Sequence, residues 1–408
     1  MHDLAAPRVA IYFRMFGPYI LARLNGAAGR MPVIGIEGSR RSTAYAWEPR
    51  QAEEHFERRT LFQEGSVDEY PPRAVIAAVR AALDEADPDM VCVMGWSYTE
   101  ALATLGWALD RRRPAILLSE STAHDAARQG WREKIKRWVV GLCDAALVGG
   151  EPQRAYVETL GMPADRIFIG YDAVDNDFFA RGAAAARADA TALRAAHALP
   201  ERYFMSSCRF IEKKNLARLL DAFAAYRATA GDEPWDLVLI GDGALRQALE
   251  QQAASLGIAN AVHFKGFKQY DDLPVYYGLA GGFVHVSTVE QWGLVVNEAM
   301  AAGLPVIVSR TCGCAEDLVE DGANGWAVDP LDTAAVTARL AELASPDTDR
   351  SAMAVLGRSI IAAYGPDRFA SGLAQAIAMA RGAPARRHGF LARAALRLLA
   401  LRSSRSGK

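Results

Sequence analysis

Two glutamates flank a glycine turn in a pattern suited to binding a phosphorylated sugar. Glu290 precedes Gly293, and Glu298 follows in an apolar, helix-like stretch. An apolar run before Glu290 predicts a strand, so the segment is a predicted strand, turn and helix. The first N–H groups of that helix, near Gly293, Leu294 and Val295, would face a diphosphate with the positive end of the helix dipole behind them. The carboxylates would accept hydrogen bonds from sugar and ribose hydroxyls, which predicts a nucleotide-sugar site.

Two cations, Arg209 and Lys214, would supply the charge that such an anion needs. Arg209 follows the apolar run 203–208, and Lys214 stands at the start of the next helical pattern. Side chains after a buried parallel strand gather at the sheet edge where ligands bind, and two cations there would neutralise a leaving diphosphate. Lys213 competes with Lys214 for this role, and an ordinary surface pair is the alternative interpretation.

Two glycines and an aromatic residue lie in further predicted loops of this half of the chain. Gly241 and Gly243 follow the apolar run 237–240, where they indicate either a phosphate-binding turn or a plain strand-to-helix turn. Phe267 is a candidate wall for the base of a nucleotide. These residues support the site predicted around the two glutamates and do not define it alone.

The first half of the chain contributes two candidates. His124 lies in a polar cluster after the apolar run 115–118. There it would orient a donor hydroxyl or the acceptor, or else stand exposed beside helix-capping Ser, Thr and Asp residues. Gly17 follows the first apolar run and would let the backbone approach a ligand closely.

Short apolar runs alternate with longer helical patterns along the whole chain. Continuous apolarity is typical of parallel strands that helices cover on both faces, so we predict an α/β fold. The runs form two series of six: 9–13, 33–36, 90–94, 115–118, 145–148 and 167–169, then 203–208, 237–240, 262–264, 283–286, 306–308 and 326–328.

The two series predict two Rossmann-like domains. An Ala-rich segment, 181–199, separates them and marks the expected junction. We therefore predict an N-terminal domain over 1–185 and a C-terminal domain over 186–380. Ligands would lie in an interdomain cleft where the carboxyl ends of the two parallel sheets face each other.

The end of the chain has a different composition. From residue 381 onward there are eight basic residues and no acidic one. Within it, 390–402 would place five apolar side chains on one broad helical side: Phe390, Leu391, Ala394, Leu398 and Leu401. The tail 381–408 is thus predicted to be either disordered or a helix on an anionic membrane surface.

Two other segments carry positive charge beside aromatic residues. The segment 131–138 is better explained as a solvated helix with Trp138 in the core than as a membrane-binding helix. A second group would add positive charge on the acceptor side: Ser39-Arg40-Arg41 and Arg50, around Tyr45 and Trp47.

Composition excludes several classes of protein. The 408 residues are 51% hydrophobic and 23% charged with a formal net charge of −2, which is ordinary for a globular protein and gives no overall field for nucleic acid. Five scattered cysteines fit free thiols and no disulfide framework. The sequence shows neither a signal-peptide pattern nor an apolar run of the roughly 18 residues that a membrane span needs. A cytoplasmic protein is expected.

Two patterns resemble metal sites. Cys312 and Cys314 stand one residue apart with no second pair at zinc spacing, so small buried residues are the favoured interpretation. Asp-x-Asp occurs three times, in segments where turn chemistry explains it better than a metal: 87–89, 175–177 and 347–349. We expect metal-independent binding, with the two cations and the helix N-terminus holding the diphosphate.

The spacing of the glutamates is E-x7-E, and this part of the chain resembles the retaining family-4 glycosyltransferases, or glycosyl transferases group 1, which have the GT-B fold. The similarity runs almost continuously over 203–330. Arg209, Lys214 and the next asparagine resemble the family's R…KN phosphate clamp. Further similar segments are the glycine turn 241–243, then 305–309, Gly313, 316–319, 321–322 and 324–325.

Two departures from the family pattern affect the expected site. Gln291 stands where relatives usually carry a small residue, which would reshape the pocket near the donor sugar. The family's Gly-Gly loop after the first strand is here Phe16-Gly17-Pro18-Tyr19, with one glycine. Over 1–185 the chain resembles the family mainly in architecture.

The resemblance implies a retaining enzyme that transfers a sugar from a nucleotide diphosphate sugar to a glycan or lipid-linked acceptor, as in cell-envelope polysaccharide or glycolipid synthesis. Glu290 would hold the donor sugar and Glu298 the ribose, with no cofactor besides the co-substrate. The domain over 1–185 would bind the acceptor, and the domain over 186–380 the donor. An anionic membrane surface is a further candidate partner, whereas nucleic acid is not.

Two rival functions share this architecture. A sugar-nucleotide epimerase would turn over its nucleotide sugar without an acceptor, and a non-enzymatic protein would bind it without turnover. A nicotinamide dehydrogenase is disfavoured because no G-x-G-x-x-G follows the first predicted strand.

Overall fold

A computed structural model describes residues 6–41, 47, 53–126, 128–231, 233–383 and 389–403. The described chain folds into two compact units. Unit 1 comprises the described residues of Met1–Ala123, Ala127–Ala173 and Pro366–Lys408, and unit 2 those of His124–Ala126 and Val174–Gly365. Each unit is built on one parallel sheet, which confirms the predicted α/β class.

Unit 1 has seven described strands: Val9–Phe13 (β1), Val33–Arg41 (β2), Glu57–Ser66 (β3), Met90–Met94 (β4), Ala115–Ser119 (β5), Ala145–Val148 (β6) and Ile167–Ile169 (β7). Its first helices are Pro18–Ala28 (α1), Pro72–Ala86 (α2), Thr99–Arg111 (α3), Gly130–Val140 (α4) and Glu151–Thr159 (α5). The strand order is β3-β2-β1-β4-β5-β6-β7. Strands β1, β5 and β6 are buried along their whole length, as their continuous apolarity predicts.

The sequence analysis does not predict β3. This strand lies at the edge of the sheet beside β2, and all of it except Ser66 is half-buried or exposed. Edge strands keep charged side chains, which here break the continuous apolarity that marks the other strands. The prediction of six strands in the first half was therefore one strand short.

Unit 2 has six described strands: Tyr203–Ser207 (β8), Asp236–Ile240 (β9), Val262–Phe264 (β10), Gly282–His285 (β11), Val306–Ser309 (β12) and Gly325–Val328 (β13). Its helices are Asn176–Ala188 (α6), Ala190–His197 (α7), Leu216–Thr229 (α8), Arg246–Ser255 (α9), Leu273–Leu279 (α10), Leu294–Ala301 (α11), Ala315–Leu318 (α12), Thr333–Ala344 (α13) and Arg350–Ile361 (α14). The strand order is β10-β9-β8-β11-β12-β13. Every predicted strand of this half is confirmed to within about one residue at each end.

The boundary between the units differs from the predicted one at 185/186. Most of the Ala-rich segment 181–199 forms α6 and α7 inside unit 2. Its small side chains allow close helix packing, since a Cβ added to Gly278 of α10 would lie 2.8 Å from the Ala183 carbonyl oxygen. The segment is packed helix, as suits alanine, and the chain changes units between Ala173 and Val174.

The C-terminal segment returns to unit 1, so the predicted boundary at 380 is also wrong. It forms Pro366–Gly382 (α15) and Phe390–Arg402 (α16). Leu396 and Ala400 of α16 are buried in the unit 1 core, and Thr99 Oγ1 of α3 donates a 3.0 Å hydrogen bond to the Ala400 carbonyl oxygen. For 389–403 the predicted alternative of disorder is therefore wrong. The other tail residues, 384–388 and 404–408, lie outside the described part of the chain.

Replacing Leu396 by alanine should destabilise the protein by about 2–5 kcal/mol, because the side chain is fully buried between α16 and the unit 1 core. Urea unfolding measures this loss. The matched control is Leu398→Ala on the same helix, where the side chain is 56% exposed and the expected change is within about 0.5 kcal/mol. Equal stabilities for the two variants would show that α16 does not pack as described.

The remaining predictions for unit 1 have mixed outcomes. Trp138 is half-buried against the unit 1 core while the surrounding helix α4 is largely solvated, as expected. Tyr45 and Arg50, proposed to flank an acceptor, lie outside the described residues. Within the described ranges, every helix falls short of the length and apolarity that crossing a membrane requires.

Candidate functional site

The carboxyl ends of β8 and β11 carry the candidate site. These strands are neighbours in the unit 2 sheet, and the strand order reverses between them. Such a reversal opens a crevice outside the strand ends, which is the usual ligand position in doubly wound sheets. Arg209 and Lys214 follow β8, and Glu290 follows β11. The fold thus brings residues predicted from separate motifs to one edge of one sheet.

A left-handed glycine turns the chain from the β11 loop into α11. Gly293 has a φ of +105°, which favours glycine, and α11 begins at Leu294. Trp292 anchors the turn, because its Nε1 donates a 2.9 Å hydrogen bond to Oδ1 of Asn297. The predicted strand, turn and helix are confirmed. The N–H groups near Gly293, Leu294 and Val295 are those that an α-helix leaves without intrahelical partners.

The loop that carries Glu290 is held by the loop after β12. The N–H of Gly313 donates to the Glu290 carbonyl oxygen at 3.2 Å, and the N–H of Cys314 donates to the Trp292 carbonyl oxygen at 3.1 Å. Glu290 and Cys312 also pair as a short parallel bridge. The backbone beneath the glutamate is therefore fixed by a neighbouring loop of the same unit.

The Glu290 side chain contacts two residues, Lys214 and His285. We call the three residues together the Lys214–Glu290–His285 cluster. Lys214 Nζ donates to Glu290 Oε2, and His285 Nε2 lies 3.2 Å from the same oxygen. Because an ionised carboxylate only accepts hydrogen bonds, this contact is a hydrogen bond in the tautomer that carries its proton on Nε2; Ser287 Oγ lies 3.2 Å from the same nitrogen. The Lys214 and Glu290 side chains are 11% and 15% exposed, so the cluster retains a narrow opening to solvent.

The charges of the cluster follow from burial and from its internal contacts. Burial alone would raise the pKa of Glu290, but the hydrogen bond from His285 and the Lys214 charge outweigh it and hold that pKa well below its usual range. Burial alone would lower the pKa of Lys214, whereas the Glu290 carboxylate raises it. Burial lowers the pKa of His285. At neutral pH the cluster therefore contains an ammonium, a carboxylate and a neutral imidazole.

Asn215 positions the lysine. It has a φ of +58°, and its Nδ2 donates to the carbonyl oxygens of Val286 at 3.1 Å and Pro330 at 2.7 Å. These bonds fasten the chain beside the carboxyl end of β11. Of the two competing lysines, Lys214 is therefore the one that donates to Glu290, and α8 begins just beyond the asparagine.

Gly241 and Gly243 let the loop after β9 pack against the Arg209 loop. A Cβ on Gly241 would lie 1.9 Å from the Cys208 carbonyl oxygen, and one on Gly243 would lie 2.6 Å from the Phe210 carbonyl oxygen. Both glycines also have positive φ, +127° and +156°. They therefore act on the site through the loop that presents the exposed Arg209. A direct phosphate contact by either glycine stays a prediction.

Glu298 is buried and contacts a tyrosine of the same unit. It is 0% exposed on α11, and the Tyr277 hydroxyl donates a 2.6 Å hydrogen bond to its Oε2. Burial, followed by the Glu298 charge, raises the pKa of Tyr277 well above its usual value, so the hydroxyl remains a donor. The carboxylate is thus oriented by a tyrosine of α10, and a ribose contact by Glu298 stays a prediction.

Replacing Tyr277 by phenylalanine should weaken binding of the nucleoside diphosphate about tenfold, because Glu298 loses a hydrogen bond to a charged group. Tyr277 is a positioning residue, so kcat should change little while KM for the donor rises. Calorimetry with UDP and GDP, together with steady-state kinetics, measures this split. An unchanged Kd with only a lower melting temperature would assign Tyr277 a purely structural role.

Three other candidates lie on loops other than those that carry the Lys214–Glu290–His285 cluster. Gly17 lies in unit 1 with a φ of −76°, so the backbone itself does not demand glycine there. His124 is exposed and groups with unit 2. Phe267 is 38% exposed in the loop after β10. The ligand contacts expected of these residues stay predictions.

The cysteines near the site are packing residues. Burial raises the pKa of Cys312 to about 12, and burial also raises the pKa of Cys314 well above its usual value. Cys312 Sγ lies 3.2 Å from Ser309 Oγ. Both side chains are buried, with exposures of 3% and 0%, so their interpretation as small buried residues is confirmed.

The Asp-x-Asp segments cap helices and fasten the backbone. Asp175 Oδ1 accepts a 2.9 Å hydrogen bond from the Phe178 N–H, and Asp349 Oδ1 accepts one of 2.9 Å from the Ala352 N–H. Asp89 Oδ2 accepts a 2.9 Å hydrogen bond from the N–H of residue 8. These are the turn and capping contacts predicted from the sequence.

Sequence reasoning missed His285 and Tyr277. His285 ends the apolar strand β11, and a single imidazole at the carboxyl end of a buried strand, five residues before Glu290, was a usable signal. Tyr277 stands among other apolar and aromatic residues of α10, so no local pattern distinguishes it. Only the fold reveals that it meets Glu298.

Comparison with known proteins agrees with this geometry. Residues 189–358 match the family described as glycosyl transferases group 1. A GDP-mannose-dependent alpha-(1-6)-phosphatidylinositol monomannoside mannosyltransferase of Mycolicibacterium smegmatis is 30% identical over 157 residues, which cover 37% of this chain and 40% of that protein. The lipopolysaccharide core biosynthesis glycosyltransferase LpsE of Rhizobium meliloti is 31% identical over 157 residues, 38% of this chain and 44% of that protein. The matches thus span less than half the length of these relatives.

Solved structures extend the likeness to nearly the whole chain. The structure of Anabaena Alr3699/HepE in complex with UDP aligns with a TM-score of 0.68 at 17% identity and covers 91% of this chain and 99% of that one. At this identity the likeness shows the fold, which is the predicted GT-B architecture of two Rossmann-like units. The clustered lysine and glutamate, the glycine turn and the family match all fall within unit 2. Over residues 189–358, less than half of its length, the chain is similar to the glycosyl transferases group 1 family.

Proposed function

We propose that the protein is a retaining glycosyltransferase that transfers a sugar from a nucleotide diphosphate sugar to a glycan or lipid-linked acceptor. The observation that carries the proposal is the Lys214–Glu290–His285 cluster beside the N-terminus of α11. It supplies a cation, a carboxylate and helix N–H groups at the strand-order reversal of unit 2. These are the groups needed to hold a diphosphate and a sugar at once.

The diphosphate of the donor would contact Lys214, Arg209 and the first N–H groups of α11. Lys214 has three N–H donors and gives one to Glu290, which leaves donors for phosphate oxygens. Cleavage of the sugar–phosphate bond leaves negative charge on the departing diphosphate. Groups already fixed around that position stabilise the charge more in the transition state than in the bound donor, which accelerates cleavage.

Glu290 would orient the donor sugar rather than attack it. Its carboxylate is already bonded to Lys214 and His285, and its lowered pKa makes it a weak nucleophile. The acceptor would then approach from the face that the diphosphate leaves, and a phosphate oxygen would take the acceptor's proton. Substitution on that face retains the anomeric configuration. Glu298, oriented by Tyr277, would bind the ribose.

No metal ion is needed in this arrangement, because the diphosphate charge is met by two side-chain cations and the helix N-terminus. Turnover should therefore change less than about twofold when EDTA replaces added Mg²⁺ or Mn²⁺ in an assay of nucleoside diphosphate release. A loss of most activity in EDTA that added metal restores would refute the metal-independent part of the proposal.

The proposed acceptor also bears on the cellular location of the protein. The relatives from Mycolicibacterium smegmatis and Rhizobium meliloti are named for phosphatidylinositol monomannoside and lipopolysaccharide core. Both names contain membrane glycolipids, which supports a lipid-linked acceptor for this chain. We place the protein in the cytoplasm, associated with the inner face of the membrane.

An acceptor-dependent assay tests the function. The protein would be incubated with UDP-, GDP- and ADP-sugars, with and without lipid and glycan acceptors, while nucleoside diphosphate release and acceptor mass are measured together. The proposal expects release to rise with one acceptor and that acceptor to gain one sugar. Interconversion of the donor sugar without an acceptor would indicate an epimerase, and binding without turnover would indicate a non-enzymatic protein.

A further inference from the structure

Helix α16 is apolar on two opposite sides. Leu396 and Ala400 are buried in unit 1. The opposite side carries four exposed apolar residues, which we call the outer stripe: Phe390, Leu391, Leu398 and Leu401, with exposures of 80%, 81%, 56% and 39%. A period of 3.6 residues per turn places these four positions on one side of a helix. A helix already packed on the core therefore presents a second apolar side to solvent.

The outer stripe is a concentration of apolar surface. Nine large apolar side chains are exposed among the described residues of the whole chain, and four of them lie on this 13-residue helix. Single exposed apolar residues are normal, but a contiguous group on one element marks a contact surface. Something other than water is therefore expected to cover it.

Positive charge borders the outer stripe. On one side, the Asp110 carboxylate of α3 meets three guanidinium groups, those of Arg80 at 2.8 Å, Arg397 at 3.0 Å and Arg393 at 3.9 Å. One carboxylate cannot neutralise three cations. Arg402 is exposed on the other border, and the sequence has no acidic residue from 381 to its end.

We propose that the outer stripe of α16 binds the surface of an anionic lipid bilayer. Apolar side chains flanked by arginines are what an interfacial helix needs, because the former enter the headgroup region while the latter meet lipid phosphates. A second copy of this chain fits the stripe poorly, since two surfaces with the same excess of arginine repel each other. The inference draws on the proposed function in one respect, namely that a lipid-linked acceptor places the enzyme at a membrane.

Because α16 packs on the unit 1 core, the membrane proposal is tested with substitutions rather than a deletion. Deleting the helix would expose the unit 1 core, so the experiment uses substitutions that leave Leu396 and Ala400 in place. The variant is F390S/L391S, at two side chains that face solvent. The matched control is L331S/V355S, which removes two apolar side chains of 61% and 60% exposure from unit 2.

Sedimentation with vesicles of phosphatidylcholine and phosphatidylglycerol measures binding, and phosphatidylcholine vesicles show its dependence on lipid charge. Wild-type protein and the control should bind the anionic vesicles equally, whereas F390S/L391S should bind at least about tenfold more weakly. Binding should fall as salt rises, because the arginine attraction is screened. Melting temperatures should be unchanged in both variants.

Two results would overturn the inference: equal vesicle binding by wild type and F390S/L391S, or no binding by wild type. A wild-type dimer that F390S/L391S dissociates, without vesicle binding, would also overturn it in favour of self-association. The vesicle assay contains no donor, so its failure is separate from failure of the proposed function. Release of nucleoside diphosphate from the donor in solution, measured on the same samples, reports that function independently.

Discussion

Replacing Lys214 by alanine should lower kcat/KM for sugar transfer by about 10²- to 10³-fold. The ammonium group is fixed by Glu290 beside the N-terminus of α11, where charge develops on the departing diphosphate. Removing one preorganised group of this kind typically has an effect of that size. Steady-state measurement of nucleoside diphosphate release, in the presence of acceptor, determines it.

Stability must be separated from catalysis in this variant. Lys214→Ala leaves the Glu290 carboxylate with His285 alone, and breaking a buried ion pair costs about 3 kcal/mol or more when both charges are fully buried. The cost here should be smaller, because both side chains keep some exposure. The double variant K214A/E290Q removes the unpaired charge, so it should regain stability without regaining activity.

Lys213→Ala is the matched control, because Lys213 is the adjacent lysine and is also half-buried. It should keep activity within about threefold of wild type, since the Glu290 hydrogen bond comes from Lys214. If Lys213→Ala were the more damaging change, the assignment of the phosphate-binding lysine would be wrong.

Replacing Glu290 by glutamine should lower transfer by a similar factor, about 10²- to 10³-fold, while free nucleoside diphosphate binds within about threefold of wild type. The substitution keeps the shape of the side chain and removes its charge. Sugar hydroxyls lose a charged acceptor, but Lys214 still has its charge to offer to phosphate. Kinetics with the intact donor and calorimetry with the nucleoside diphosphate measure the two effects.

Glu298→Gln is the comparison for this variant, since Glu298 is the second glutamate of the motif and is oriented by Tyr277. It should weaken binding of the nucleoside diphosphate about tenfold or more, because the expected hydrogen bond to the ribose loses its charged acceptor. Equal losses of nucleotide affinity in the two variants would contradict the separate roles assigned to the glutamates.

The lowered pKa of Glu290 also predicts how the free energy of unfolding depends on pH. The pKa of Glu290 is lower in the folded protein than in the unfolded chain, where a glutamate has a pKa of about 4.3. Its carboxylate therefore stabilises the folded state above about pH 4.3, and this contribution is lost as the pH falls towards the pKa of the folded state. The stability difference between wild type and Glu290→Gln should therefore be constant from about pH 7 to 5 and change below about pH 4.3. Denaturant unfolding across this range measures it.

The sequence was most informative where strands are buried on both faces. Every strand of unit 2 could be placed, most directly where a continuous apolar run such as 237–240 cannot belong to a polar surface. The sequence also predicted that Lys214 and Glu290 belong to one site, whereas it did not predict the direct hydrogen bond between them. The edge strand β3 could not be predicted, because its exposed charged residues interrupt the apolar pattern of a buried strand.

What the sequence could not supply is contact between distant segments. The Ala-rich segment 181–199 has the composition of a linker, yet its small side chains pack α6 against α10. The tail has the composition of a disordered end, yet Leu396 and Ala400 fit the unit 1 core. Composition indicates which conformations an isolated segment favours. Its packing in the protein depends on the surface of the neighbouring elements.

The most direct test of the central claim is the anomeric configuration of the sugar that the protein releases. With no acceptor added, water can take the acceptor's place, so ¹H NMR can follow an α-configured nucleotide sugar before the free sugar equilibrates in solution. We predict equal amounts of nucleoside diphosphate and free sugar, with the sugar appearing first as the α anomer and with both products formed about 10²- to 10³-fold more slowly by Lys214→Ala. Initial appearance of the β anomer, or equal release by wild type and Lys214→Ala, would contradict the account.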